Sequence, residues 1–142
     1  MQGYYQDPDA TGEAVQNGWL HTGDTGWADD NGFIYIVGRK KDIIISGGTN
    51  IYPGEVEGVL THHPAVEDAA VIGVDDELWG EKVVAVVVLQ KHMVCTEQQI
   101  IDFCREHLAG FKCPHSVIFS EQLPRNAAQK VMKEELKRLV ST

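Results

Sequence analysis

The sequence predicts an α+β domain, with a three-stranded core sheet, a short hairpin and about three helices, preceded by a separate β-hairpin segment. Three observations predict it. After residue 38 the apolar runs read hairpin, helix, strand, strand, helix, strand, helix, with adjacent strands rather than strictly alternating ones. The charge changes character at the same place: residues 1 to 38 hold six acids and no Lys or Arg, while the remaining 104 residues hold fifteen acids and all twelve bases. Turn residues crowd the first segment and punctuate the rest.

The elements follow in order. In the first segment Asp29-Asp30-Asn31-Gly32 separates Thr25-Gly26-Trp27-Ala28 from Phe33-Ile34-Tyr35-Ile36-Val37, and an Asn-Gly turn between apolar runs predicts a β-hairpin. A lone hairpin is marginal in water, so this segment reads as part of a sheet that lies elsewhere. Ile43-Ile44-Ile45 and Ile51-Tyr52, around Ser46-Gly47-Gly48-Thr49-Asn50, predict two short strands and a tight turn. Pro53 followed by Glu55 and Glu57 opens a helix, with proline in the first turn and acids near the positive end of the dipole.

Ala65 to Val74 and Lys82 to Leu89 are rich in Val, Ile and Ala and predict two core strands. Thr96 with Gln99 is a capping pair, and Ile100, Ile101, Phe103, Cys104 and Leu108 follow at helical spacing. Ser116 to Phe119 is a third core strand. Leu123 to Gln129 is a loop, and a last helix runs from about Val131 to Val140.

Composition removes several functions. A net charge of -9 does not coat nucleic acid, which needs clustered Lys and Arg. No run reaches the ~20 apolar residues of a membrane span, and the start has neither a basic nor an apolar leader region, so a cytoplasmic protein is expected. Cys95, Cys104 and Cys113 show no paired spacing, which leaves buried thiols in place of a zinc site or disulfide framework. No metal site is predicted.

Single residues leave the chemistry open. The Gly47-Gly48 run can be a phosphate cradle or a plain turn needing positive φ, and it lacks the order of a P-loop. Lys130, between a polar loop and a helix, can reach an anion or simply face solvent. Asp24, between two glycines, can accept from a ribose diol or cap a turn. Trp79 can stack on adenine or pack against the core.

Taken together, three motifs change this. Gly18-Trp19-Leu20-His21-Thr22-Gly23-Asp24, then Gly38-Arg39-Lys40-Lys41-Asp42 with Ile44 to Glu57, then Leu123-Pro124-Arg125-Asn126-Ala127-Ala128-Gln129-Lys130, resemble the end of the adenylate-forming acyl-CoA synthetases. The resemblance covers essentially the whole chain. It implies three parts: residues 1 to 38 as a remnant of the large AMP-binding domain, 39 to 42 as a hinge, and 43 to 142 as the C-terminal lysine domain.

The resemblance also implies roles. A carboxylic acid is adenylated by ATP with Mg²⁺ and then passed to the CoA thiol, the small domain rotating between the steps. Lys130 would bridge the attacking carboxylate and the α-phosphate. Asp24 and Arg39 would hold the adenylate, and Lys41 would absorb the rotation. Gly47 and Gly48 would line the pantetheine path, with Trp79, Phe111 and Lys112 toward the CoA nucleotide.

Two departures stand out. Cys113 and His115 occupy positions that are often basic in the family, and Gln129 stands where a glycine commonly precedes the lysine. The phosphate loop, acyl pocket and adenine-binding strands that the family keeps upstream are not in these 142 residues, so the isolated chain is expected to be inactive and to bind no cofactor tightly. Its partner would be a large N-terminal adenylation domain. The alternatives are a free-standing CoA- or nucleotide-binding module acting in trans, and the end of a peptide-synthetase adenylation domain.

Overall fold

A computed structural model describes residues 1 to 140; the last two positions of the predicted lysine domain, 141 and 142, lie outside the described residues. The chain divides into two compact units, Met1–Lys41 and Asp42 onward.

The first unit begins with α1 (Pro8–Ala14), where Asp7 caps the helix by accepting from the Ala10 N–H at 2.9 Å and Pro8 sits at the first turn. The strands β1 (Val15–Gln16) and β2 (Trp19–Leu20) pair around Asn17-Gly18, both left-handed at φ 51° and 82°. The predicted hairpin follows as β3 (Asp24–Ala28) and β4 (Ile34–Arg39). Asp29 closes its turn by accepting from the N–H groups of Asn31 and Phe33, each at 2.9 Å, and Trp27 stacks on Tyr35 with ring centroids 4.5 Å apart. The sequence reading missed α1 and the β1–β2 pair. Both are short and carry no apolar period, so turn and cap chemistry alone build them. No residue from 1 to 41 is buried, although this stretch holds Trp19, Trp27, Phe33, Ile34 and Ile36.

The second unit is built on one sheet. In chain order it contains β5 (Ile44–Ser46), β6 (Thr49–Ile51), α2 (Pro53–Leu60), β7 (Val66–Asp76), β8 (Gly80–Leu89), α3 (Glu97–His107), β9 (Ser116–Phe119) and α4 (Lys133–Val140). The strand order is β6-β5-β8-β7, with β9 parallel to β8. The short hairpin therefore joins the core sheet, through Ser46 opposite Gly80, giving five strands.

Both faces of this sheet are covered, which explains why β8 reads as an unbroken apolar run: every residue from Val83 to Val88 is buried. Val71, Val83, Ala85 and Val87 pack with Val56 and Leu60 of α2 and Ile100 and Cys104 of α3. On the opposite face Ala70, Ile72, Val84 and Val86 meet Leu123, Val131 and Leu136. The α3 capping box of Thr96 and Gln99 forms as the sequence indicates. The last helix starts at Lys133, two residues later than predicted, because Val131 pairs with Arg125 in an isolated bridge.

Three glutamates finish strand backbones that the ladder leaves open. Glu57 accepts from Val71 N–H at 2.9 Å, Glu81 from Ile45 N–H at 2.8 Å, and Glu97 from Val117 N–H at 2.7 Å. Each comes from a different element, so each also ties two elements together.

Candidate functional site

The loop that carries Lys130 is tightly held. Asn126 Oδ1 accepts from the N–H groups of Ala128 and Lys130, both at 3.0 Å, and Asn126 N–H donates to the Lys130 carbonyl at 3.0 Å. Gln129 lies between them at φ 61°, in the left-handed region. The turn demands positive φ at this position, and Gln accepts strain that a glycine would not have. The Lys130 side chain is exposed, and among the described residues it has no salt-bridge partner.

Gly47 and Gly48 make the two-residue turn between β5 and β6, both left-handed at φ 56° and 78°. They differ in their surroundings. A Cβ on Gly47 would meet the Trp79 ring at 2.9 Å, whereas one on Gly48 would meet nothing within 4 Å. Gly47 N–H also donates to the Trp79 carbonyl at 2.8 Å. Trp79 is thus packed over the glycine turn, with one side still open at 47% exposure. Its own turn is fixed by Asp76, whose Oδ1 accepts from Leu78 and Trp79 N–H at 3.0 Å each; those bonds hold the carboxyl below its ordinary range. His115 stands 6.1 Å from Trp79 between ring centroids.

Phe111 and Lys112 occupy a short 3-10 turn before β9. Phe111 is exposed, but Lys112 is engaged: its Nζ lies 2.7 and 2.9 Å from the two oxygens of Glu55, at the start of α2. Any anion that Lys112 takes must displace that carboxylate.

In the first unit Asp24 and Arg39 face each other across β3 and β4, and Arg39 Nε contacts Asp24 Oδ1 at 2.9 Å. Lys41 is exposed in a 3-10 turn, Lys40–Asp42, and the division between the two units falls immediately after it.

Within the second unit the lysine loop and the glycine turn belong to opposite ends of the β7–β8 ladder. Arg125, in the lysine loop, is anchored to Asp68, opposite Val88; the glycine turn joins at Gly80, opposite Asp76. Eight residues of strand separate Asp68 from Asp76, about 26 Å at roughly 3.3 Å per residue. Neither end lines the open cavity of about 420 Å³, which is bounded by His63, Met93, Cys95, Phe103 and their neighbours. Among the described residues no group of three or more His, Cys, Asp or Glu is placed to hold a metal ion, and no helix is long and apolar enough to cross a membrane.

A small α+β unit of this topology is the architecture of the C-terminal domain of AMP-binding enzymes. The chain belongs to that family, whose model, AMP-binding enzyme C-terminal domain, matches residues 55–130. It is 51% identical over 138 residues to the 2-succinylbenzoate–CoA ligase of Bacillus cereus, covering 97% of this chain and 28% of that one. The structure of o-succinylbenzoate CoA synthetase from Bacillus subtilis, in complex with its acyl-adenylate intermediate, superposes with a TM-score of 0.91 at 44% identity, over 96% of this chain and 28% of that chain. ATP-bound MatB from Rhodopseudomonas palustris gives 0.89 at 40% identity, covering 97% and 28%. The chain spans about 28% of the length of the relatives it matches.

Proposed function

We propose that this chain is the lysine domain, with an adjoining strip of the large domain, of an ATP-dependent ligase that joins a carboxylic acid to CoA. In the first half-reaction the carboxylate oxygen attacks the α-phosphorus of ATP, pyrophosphate leaves, and an acyl-adenylate forms. In the second the CoA sulfur attacks the acyl carbon, the thiol proton is lost, and AMP leaves.

The observation that carries the reading is the separation of the two functional ends. A carboxylate and a phosphate repel as they approach, and an ammonium between them offsets that repulsion where charge builds. The Lys130 loop is rigid in backbone and free in side chain, as that role requires. Gly48 offers open space beside a backbone turn, as passage of a pantetheine arm requires. Ends ~26 Å apart cannot serve one reacting centre in a single orientation. The small domain must therefore turn, and Lys41 stands where the two units divide.

Asp24, with one oxygen held by Arg39, would accept from the adenylate ribose through the other. Trp79, Phe111 and Lys112 would meet the CoA nucleotide, with Lys112 exchanging Glu55 for a phosphate. Among the described residues no group of three or more His, Cys, Asp or Glu would hold Mg²⁺, whose ligands would be the nucleotide's phosphates and the large domain. The cysteines are free thiols, which suits a cytoplasmic setting. The likeness to 2-succinylbenzoate–CoA ligases makes 2-succinylbenzoate the first acid to try, and the large domain would be the partner in every step.

The test is a chimera in which this chain replaces the matching part of the Bacillus cereus ligase. Pyrophosphate release with 2-succinylbenzoate and ATP should be restored, and Lys130→Ala should lower it by about 10²–10³-fold, the scale of removing one positioned charge donor. A chimera that folds yet adenylates equally well without Lys130 contradicts the proposal.

A further inference from the structure

We infer that Asp68 is a positioning residue for Lys130, acting through Arg125. The inference rests on the adenylation role proposed for Lys130 and adds a residue 62 positions away, outside every motif in the sequence.

The strand itself is arranged for it. Val66 pairs with Leu89 and Asp68 with Val88, so Glu67 is an extra residue and β7 bulges there. In a regular strand residues 66, 68, 70 and 72 would share one face. Here Ala70 and Ile72 pack on the face covered by Leu123 and Leu136, while Val66 packs on the other with α2 and α3. The bulge lets Val66 enter one core while Asp68 stays in register with the face that the C-terminal segment covers.

From that face Asp68 Oδ2 accepts from Arg125 Nη2 at 2.6 Å, and its Oδ1 is steadied by Ala69 N–H at 3.0 Å. The other arm of the same guanidinium, Nη1, donates to the Gln129 carbonyl at 2.6 Å. That carbonyl belongs to the peptide whose N–H is Lys130's, and the N–H is held by Asn126 Oδ1 at 3.0 Å. Both ends of the peptide leading into Lys130 are thus fixed, one by a local turn and one by a planar fork anchored to the sheet. The fork has two tasks, and only a carboxylate on β7 keeps it aimed at the second.

Asp68 and Arg125 keep 33% and 36% of their side chains exposed. A pair this wet adds little to global stability. Its effect falls instead on where the Lys130 backbone stands, and a misplacement of about 1 Å in a charge-bridging group can cost about 10²-fold in rate.

The experiment uses the same chimera, carrying Asp68→Asn or Arg125→Gln, with the two half-reactions measured separately. Adenylation, read as pyrophosphate release, should fall by about 10–100-fold in kcat, and Asp68→Glu should recover most of it. Thioester formation from supplied acyl-adenylate and CoA should stay within about twofold, as should the KM for ATP. Adenylation within about twofold of the parent in both variants overturns the inference, and so does a parallel fall of both half-reactions. Lys130→Ala separates the two levels: adenylation that survives it removes the lysine's role altogether, whereas adenylation lost there but kept in the Asp68 and Arg125 variants removes only that of Asp68.

Discussion

Gln129 and Gly47 show how single residues carry the local geometry. Gln129 takes a φ of 61° where glycine would be unstrained, so the lysine loop of this chain is held by its hydrogen bonds and not by backbone preference. Gly47 has no such choice, since any Cβ would run into Trp79 at 2.9 Å. Asp76 supports that same corner, and its carboxyl is held below its ordinary range chiefly by the Trp79 N–H and then by that of Leu78. With the folded value lowered, the stabilisation is present in full above the unfolded value and is lost as pH falls through the folded one. The amide resonances of Leu78 and Trp79 should titrate with a midpoint below 3.8, the ordinary carboxyl value; a midpoint at or above it would show that these bonds do not favour the ionised form. Asp76 and the double glycine are visible in the sequence, but which glycine touches Trp79 is not.

At the scale of elements, the sheet's edges are closed by side chains from remote helices. Glu57 of α2 accepts from Val71 N–H and also from Lys133 Nζ at 2.7 Å, and Lys133 donates on to the Val71 carbonyl at 3.2 Å. One residue of edge strand β7 is capped on both its donor and its acceptor, which ties α2 and α4 to the same point. With a fifth to a quarter of each side chain exposed, this pair should matter. Glu57→Gln is expected to cost about 1–2 kcal/mol in chemical denaturation. Arg105→Gln, which breaks an i,i+3 pair with both side chains more than half exposed, should cost less than about 0.5. Equal losses would deny the edge a special role.

The elements differ in how much of this could be read beforehand. The capping box of α3 and the hairpin of β3 and β4 rest on residues within a few positions of one another, and local chemistry is legible. Helix α1 was not, because Asp7 and Pro8 mark its start but no apolar stripe follows them. Glu57 with Lys133 and Asp68 with Arg125 join residues 76 and 57 positions apart, and no spacing rule reaches that far. The bulge at Glu67 was equally hidden, since an extra residue leaves the apolar run looking continuous.

For the whole molecule, the contrast is between a unit with a two-sided core and one with none. Residues 1 to 41 bury no side chain yet hold two of the three tryptophans, as expected if they are the strip of the large domain proposed above. Beyond Asp42 the sheet is covered on both faces and carries the lysine loop and the glycine turn at opposite ends of one ladder. On the function proposed, that placement would divide the two half-reactions between two orientations of this unit. The most direct measurement compares Lys130→Ala with Gly48→Asn in the chimera, following both half-reactions. Asn tolerates the left-handed turn but puts a side chain into the space beside Gly48. A crossed result is expected: Lys130→Ala loses adenylation and keeps thioester formation from supplied adenylate, while Gly48→Asn keeps adenylation and slows thioester formation by about tenfold or more. If both variants depress the same half-reaction, the two ends do not divide the chemistry, and the proposed roles of Lys130 and Gly48 fall.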